Sequence, residues 1–332
     1  MTERRHASRD YAHISTGALP SADVVRAELE RAHVLYRTNR EGDVSAVYPA
    51  LAEAHPDYFG IAVAGANGAE HHVGDADVPF TLMSVSKAFV FALVCQELGP
   101  DRARDEIGVN ATGLPFNSIE AVERDVGGRT NPMVNPGAMA TTSRVPGATL
   151  EEKWIAIRDG LSAFAGRTLD VDEAMLASAL ATNERNREIA RRLADLGAID
   201  GDPIDAATLY TRQCCLQVTA RELALMGATL ATGGVQPRTH QRVVDAAVCH
   251  YTLAVMATAG LYERSGDWLY DIGLPGKSGI SGCVVTIAPG KGALATFAPR
   301  LDAAGNSVKG FLVARDLSHS LGLDIFASRG DD

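Results

Sequence analysis

Cysteines in spaced pairs, long runs of one charge and long apolar runs are all scarce in this sequence. Five cysteines occur in 332 residues: Cys95, Cys214, Cys215, Cys249 and Cys283. An odd count with no C-x-x-C spacing excludes a disulfide framework and a cysteine-based zinc site, and points to reduced thiols. The adjacent pair Cys214-Cys215 suits neither a metal nor an ordinary disulfide. No apolar run approaches the roughly 20 residues that a membrane-spanning helix needs. The formal net charge is −10 and no basic cluster interrupts it, so nucleic acid and anionic membrane are excluded as partners. The opening MTERRHASRDYAHISTG has no apolar core of a secretory signal. A cytoplasmic location is therefore expected. Internal repeats and low-complexity segments are absent as well. What remains is ordinary globular composition, 46% hydrophobic and 22% charged, enough for a sizeable core in one large or two closely joined domains.

Residues 1–20 read as a flexible tail. The spacing of apolar residues by three and four predicts a helix over 22–38 and a second from Asp43 to about Ala54. Two strand-like runs then flank Ala66-Asn67-Gly68, a hairpin signal. SVSKAFVFALVCQELG is an apolar helix ending at Gly99. From about 100 to 260 helix and loop dominate, with helical period over 150–165, 172–196 and 219–233. The stretch GKSGISGCVVTIAPGKGALATFAPRL reads as two strands joined at Pro289-Gly290-Lys291-Gly292, and a last helix is expected near Asn306. Strands at both chain ends with helices between predict an α/β (α+β) class. In it, an antiparallel sheet from about 21–90 and 260–325 carries an inserted all-helical lobe over about 100–255, all within one domain spanning 21–325. A site is expected where the lobe meets the sheet.

The chemistry concentrates at Ser84-Val85-Ser86-Lys87. Residues three apart share one helix face, so Ser84 at the helix start would meet Lys87 one turn later. Serine attacks only when a neighbouring base takes its proton, and a lysine serves when burial lowers its pKa. A helix start at Ser84 would also aim backbone N–H groups at an oxyanion. Alone, S-x-x-K is more often a helix start with an exposed lysine. Here Lys277-Ser278-Gly279 follows about 190 residues on, in the order that penicillin-binding proteins and β-lactamases use with K-T-G on a later strand.

Longer words carry more. PFTLMSVSKAF, NPMVNPGAMATTS, ATNERNREIA, CCLQVTARELALMGATLATGG, VMATAGLYERSGDWLYDIGLPGKSGISG and DAAGNSVKG resemble the bacterial and animal glutaminases from about residue 25 to 320. The resemblance implies a β-lactamase-like fold and hydrolysis of a small-molecule amide, L-glutamine, to L-glutamate and ammonia. It implies a serine acyl-enzyme with no metal or organic cofactor, and a homodimer or homotetramer. It also implies roles. Ser84 is the nucleophile and Lys87 its base. Tyr262 relays a proton to the leaving ammonia. Asn135, Asn186 and Tyr210 contact substrate, and Ile280 offers a backbone N–H to the oxyanion beside that of Ser84. Lys277 supplies positive charge that keeps Lys87 neutral. Without the resemblance, a lone Asn is a cap or turn residue and a lone Tyr is core.

Three positions depart from the family pattern. Met83 stands where a Gln precedes the serine, Ala179 where a Glu binds the substrate's α-ammonium, and Val47 where a Tyr contacts substrate, unless Tyr48 shifts into that role. Glu184 lies five residues from Ala179, which is not a whole number of helical turns, so it is not expected to substitute. All three changes replace polar by apolar. They leave a different amide, a same-fold acyltransferase or a non-catalytic paralogue as alternatives.

Overall fold

The structure is a computed structural model and describes residues 17–327; most of the expected N-terminal tail lies outside them. Among the described residues there are nine strands: β1 Asp43–Val44, β2 Gly60–Gly65, β3 Glu70–Gly74, β4 Phe80–Thr81, β5 Gln217–Val218, β6 Gly276–Gly279, β7 Cys283–Ala288, β8 Gly292–Phe297 and β9 Arg300–Leu301. Five of them form an antiparallel sheet in the order β3-β2-β8-β7-β6. The two hairpins expected from the sequence are thus neighbours, joined where β2 pairs with β8.

Strands β2, β6, β7 and β8 are buried on both faces, while the edge strand β3 is partly exposed; the sheet's period-two alternation separates two cores. Ala62, Ala64, Val285, Ile287, Ala293 and Ala295 face the helices of the central block. Ile61, Val63, Val284 and Leu294 face the first and last helices, Ala22–Tyr36 and Val308–Ser320. Small residues on the inner face let the Ala220–Ala231 helix lie close against the sheet. Gly227 of that helix would put a Cβ 2.7 Å from Ala293 and 2.8 Å from Val285.

Local signals explain most helix boundaries. The Leu150–Ala165 and Ala220–Ala231 helices each begin with a reciprocal capping box, Thr149 with Glu152 and Thr219 with Glu222. The Ser86–Leu98 helix ends at Gly99, whose φ is 81°.

Four expectations are corrected. Residues 43–54 are not one helix. Asp43 and Val44 pair with Leu301 and Arg300, and only Pro49–Ala52 is helical. Proline fits the first turn of a helix but cannot continue one from the preceding side, because it lacks an N–H and its ring clashes with the turn before it. The run 172–196 is two helices, Glu173–Ala181 and Glu184–Asp195, broken at Thr182-Asn183. Inside the helical block, β5 pairs with β4 and ties the segment before Ser84 to that block. The Lys277-Ser278-Gly279 word is itself part of a strand, β6, at the sheet edge beside β7.

Candidate active site

Ser84 does not open the α-helix itself. It sits in a 3-10 turn, Met83–Val85, immediately before the Ser86–Leu98 helix. Met83 enters that turn at φ 45°, a left-handed conformation costly for a side-chain-bearing residue. Its carbonyl is held by the Ser86 hydroxyl at 2.8 Å, and Gln213 Nε2 donates to that same hydroxyl at 3.3 Å. The first bond of the turn runs from the Val85 N–H to the Leu82 carbonyl at 3.0 Å. The Ser84 N–H therefore belongs to the donors left over at a helix start. Strand β6 passes close by: a Cβ on Gly279 would lie 2.8 Å from the Leu82 carbonyl oxygen. This approach brings Ile280, the next residue, to the same cavity as Ser84. The Ile280 N–H has no hydrogen-bond partner among the described residues.

Lys87 is 1% exposed. Its Nζ donates to Asn135 Oδ1 at 2.7 Å and to the Met133 carbonyl at 3.3 Å. No carboxylate pairs with it among the described residues. Burial lowers its pKa to about 7, with Cys214 pulling weakly the other way. Lys277 is fully buried and donates to the Ser278 carbonyl at 2.9 Å. Its pKa also falls well below the usual lysine value, through burial first and the Lys87 charge second. The Tyr262 ring lies 5.3 Å from Lys87 Nζ and 4.1 Å from Lys277 Nζ. Tyr262 too has a left-handed backbone, φ 57°. Burial raises its pKa, and its hydrogen bond with Ser84 opposes that rise. The Ser278 hydroxyl is taken by Asn306 Oδ1 at 2.6 Å.

Asn135, Asn186 and Tyr210 are brought together, and the structure adds two residues that motif reading passed over. Thr211 Oγ1 donates to the Ala207 carbonyl and accepts from Asn183 Nδ2 at 2.6 Å. Asn183 Oδ1 accepts from Asn186 Nδ2 at 2.7 Å, and Asn186 Oδ1 accepts from Asn135 Nδ2 at 2.9 Å. Asn135 is thereby left with only its oxygen for Lys87, and the Tyr210 hydroxyl donates to that oxygen at 3.0 Å. Each amide can face only one way once Thr211 is anchored to its own helix. The signal for Asn183 was present, since it precedes Asn186 by three residues, but its helix was read as continuous.

Ser84 opens into a cavity of about 150 Å3 between the turn, β6 and the helical block. All three departures from the family pattern line it. Met83 and Ala179 are 2% and 1% exposed, and Val47 is 57% exposed. Tyr48 lines it beside Val47. Glu184 does not: its carboxylate lies 3.5 Å from Arg187 and from Arg191. Among the described residues, no aspartate or glutamate lines the cavity, and Arg185 is its one charged wall residue. No group of three or more metal-ligating side chains occurs among them either.

A family model described as "Glutaminase" matches residues 42–326. Glutaminase 2 of Yersinia pestis is 60% identical over 316 residues, 95% of this chain and 93% of that protein. A glutaminase of Brucella canis is 44% identical over 310 residues, 93% of this chain and 98% of its own. Among solved structures, the probable glutaminase ybaS superposes with a TM-score of 0.91 at 38% identity, covering 93% of this chain and all of that one. Mglu in its glutamate form superposes with a TM-score of 0.88 at 34% identity, over 92% of this chain and 71% of that one. The matched span includes both sheet ends, the helical block and every residue around Ser84, so this chain belongs to the glutaminase family.

Proposed function

We propose that this protein is a serine amidohydrolase of the glutaminase type, converting L-glutamine to L-glutamate and ammonia through an acyl-enzyme on Ser84. The observation that carries the reading is the surroundings of Lys87. A neutral lysine amine has two N–H groups and one lone pair. Asn135 Oδ1 and the Met133 carbonyl take the two N–H groups. The lone pair is left to accept a proton from Ser84, one turn away. Because burial brings its pKa to about 7, a large share of Lys87 is already neutral near neutral pH, which suits a general base.

The Ser84 oxygen attacks the carboxamide carbon while its proton passes to Lys87. The resulting oxyanion lies against the N–H groups of Ser84 and Ile280, fixed donors at a helix start and a strand end. Tyr262, hydrogen-bonded to Ser84, hands a proton to the amide nitrogen, and the C–N bond breaks to release ammonia. Lys87 then returns the proton it took to Tyr262, so both groups are as they began. Water attacks the Ser84 ester and gives a proton to neutral Lys87, which passes it to the departing Ser84 oxygen, freeing the acid and the serine. Lys277 contributes through like charge. Only one of the two buried lysines carries a proton without strong repulsion, so the pair keeps a neutral amine available. Asn135, Asn186 and Tyr210 hold Lys87 and face the substrate. A homodimer or homotetramer in the cytoplasm completes the proposal.

The test is ammonia release from an amide panel by purified protein. Ser84→Ala is expected to remove about 10³-fold or more of kcat, with the urea midpoint unchanged. Turnover that survives in Ser84→Ala would sink the acyl-enzyme.

A further inference from the structure

The cavity wall also bears on which amide enters, an inference that rests on the amidohydrolase reading above. A free amino acid brings both an ammonium and a carboxylate. A cation moved out of water needs a carboxylate partner, and one left unpaired is strongly disfavoured. The described wall offers none. Ala179, Met83 and Val47 are apolar. The acids closest in sequence are engaged elsewhere, Glu184 with Arg187 and Arg191, and Glu188 with Arg185 at 2.8 Å. An anion is better served. Arg185, the one charged wall residue among those described, is a cation that spends one of its N–H groups on Glu188. Val47 of the wall is 57% exposed, so the cavity is open to solvent there.

We infer that this site prefers an ω-carboxamide that carries a carboxylate but no ammonium, a glutamine whose α-nitrogen is acylated or missing, over free L-glutamine. The balance of the reaction is unchanged: the ω-amide C–N bond breaks, ammonia leaves, and an ω-carboxylate forms.

The experiment compares N-acetyl-L-glutamine, glutaric acid monoamide and L-glutamine by kcat/KM. Binding of the same three compounds to Ser84→Ala is followed by calorimetry, so the preference is read even where turnover fails. The two masked amides are expected to exceed L-glutamine by about tenfold or more in both measurements, the loss expected for an unpaired charge. The ratio of L-glutamine to N-acetyl-L-glutamine should climb as pH rises and the free amine loses its proton, a ratio from which the enzyme's own titrations cancel. Ala179→Glu places a carboxylate in the wall and should shift the preference toward L-glutamine by about tenfold or more. L-glutamine binding as tightly as its acetylated form at pH 7 would overturn the inference, and so would a pH-independent ratio. A folded Ala179→Glu with unchanged preference would count against it equally. Loss of turnover on every amide with the binding preference intact would instead sink the amidohydrolase reading alone.

Discussion

The two sides of the cavity are built differently. On one side, Ser84, Lys87, Tyr262 and Lys277 sit on a strained turn, the helix that follows it, a second strained turn and a sheet-edge strand, and nearly every polar atom there has a named partner. Elsewhere on the wall are Val47, Ala179 and Met83, the last beside Ser84 in the same turn, and Arg185 is the one charged wall residue among those described. The residues that the resemblance casts in catalysis lie on the first side, and the three apolar departures line the second. In the proposed mechanism, bond-making depends on a dense polar network. Recognition of the rest of the substrate depends on wall residues that can change without disturbing that network, because their contacts are apolar packing.

Breaking the polar side should have the largest effect. Lys87→Met is expected to cut kcat by about 10³-fold or more, the scale of a lost general base, and at the same time to stabilise the fold by about 2 kcal/mol or more at pH 7. The sign follows from proton counting. The folded-state pKa of Lys87 lies below that of the unfolded chain, so between about pH 7 and the ordinary lysine value the unfolded state binds more protons. The burial penalty is full at and below pH 7 and disappears at high pH. Urea midpoints at pH 7 and pH 10 check it; an equal gain at both would contradict the buried-amine account.

A smaller effect is expected from the second lysine. In the wild type, kcat/KM for an uncharged-amine substrate should rise as pH passes through about 7, as Lys87 loses its proton. The Lys87 charge lowers the pKa of Lys277; if that coupling is reciprocal, Lys277→Met should move the limb to higher pH. An unmoved limb would show that Lys277 acts through packing against Tyr262 alone.

The smallest effect should come from Thr211→Val, at a residue that makes no hydrogen bond to either lysine. It strips the acceptor from Asn183 and leaves a buried amide free to turn over, at a cost of about 1 kcal/mol or somewhat more. We expect kcat to fall by roughly fivefold to tenfold and the pH limb to shift, with Thr211→Ser restoring both. A loss confined to the urea midpoint would make Thr211 structural only.

Much of this site was legible as words. Ser84 and Lys87 three residues apart before an apolar run, the Lys277-Ser278-Gly279 triplet before a strand, and the asparagines within longer matching segments all lie where the structure brings them together. The two hairpins and the first and last helices were legible from period and turn residues. Residues 43–54 were not, because a two-residue strand has no period of its own and its partners, Arg300 and Leu301, are far away in the chain. The break at Thr182-Asn183 was hidden inside a run whose apolar spacing is helical on both sides. With it went Asn183, whose hydrogen bonds depend on Thr211 from another helix.

The sequence by itself determined the family, the antiparallel sheet drawn from both chain ends, the spacing of Ser84 and Lys87 that the proposed mechanism uses, and three apolar residues of one kind. Each of these is local in the chain, a spacing, a turn or a word. The tertiary structure alone decided that those three substitutions share one wall, that Glu184 turns away to its arginines, and that a chain of amides from Thr211 fixes the face Asn135 shows to Lys87. It alone also decided that both lysines are buried without a carboxylate. Desolvation and hydrogen-bond direction depend on which distant segments close around an atom, and no spacing in the chain encodes that directly.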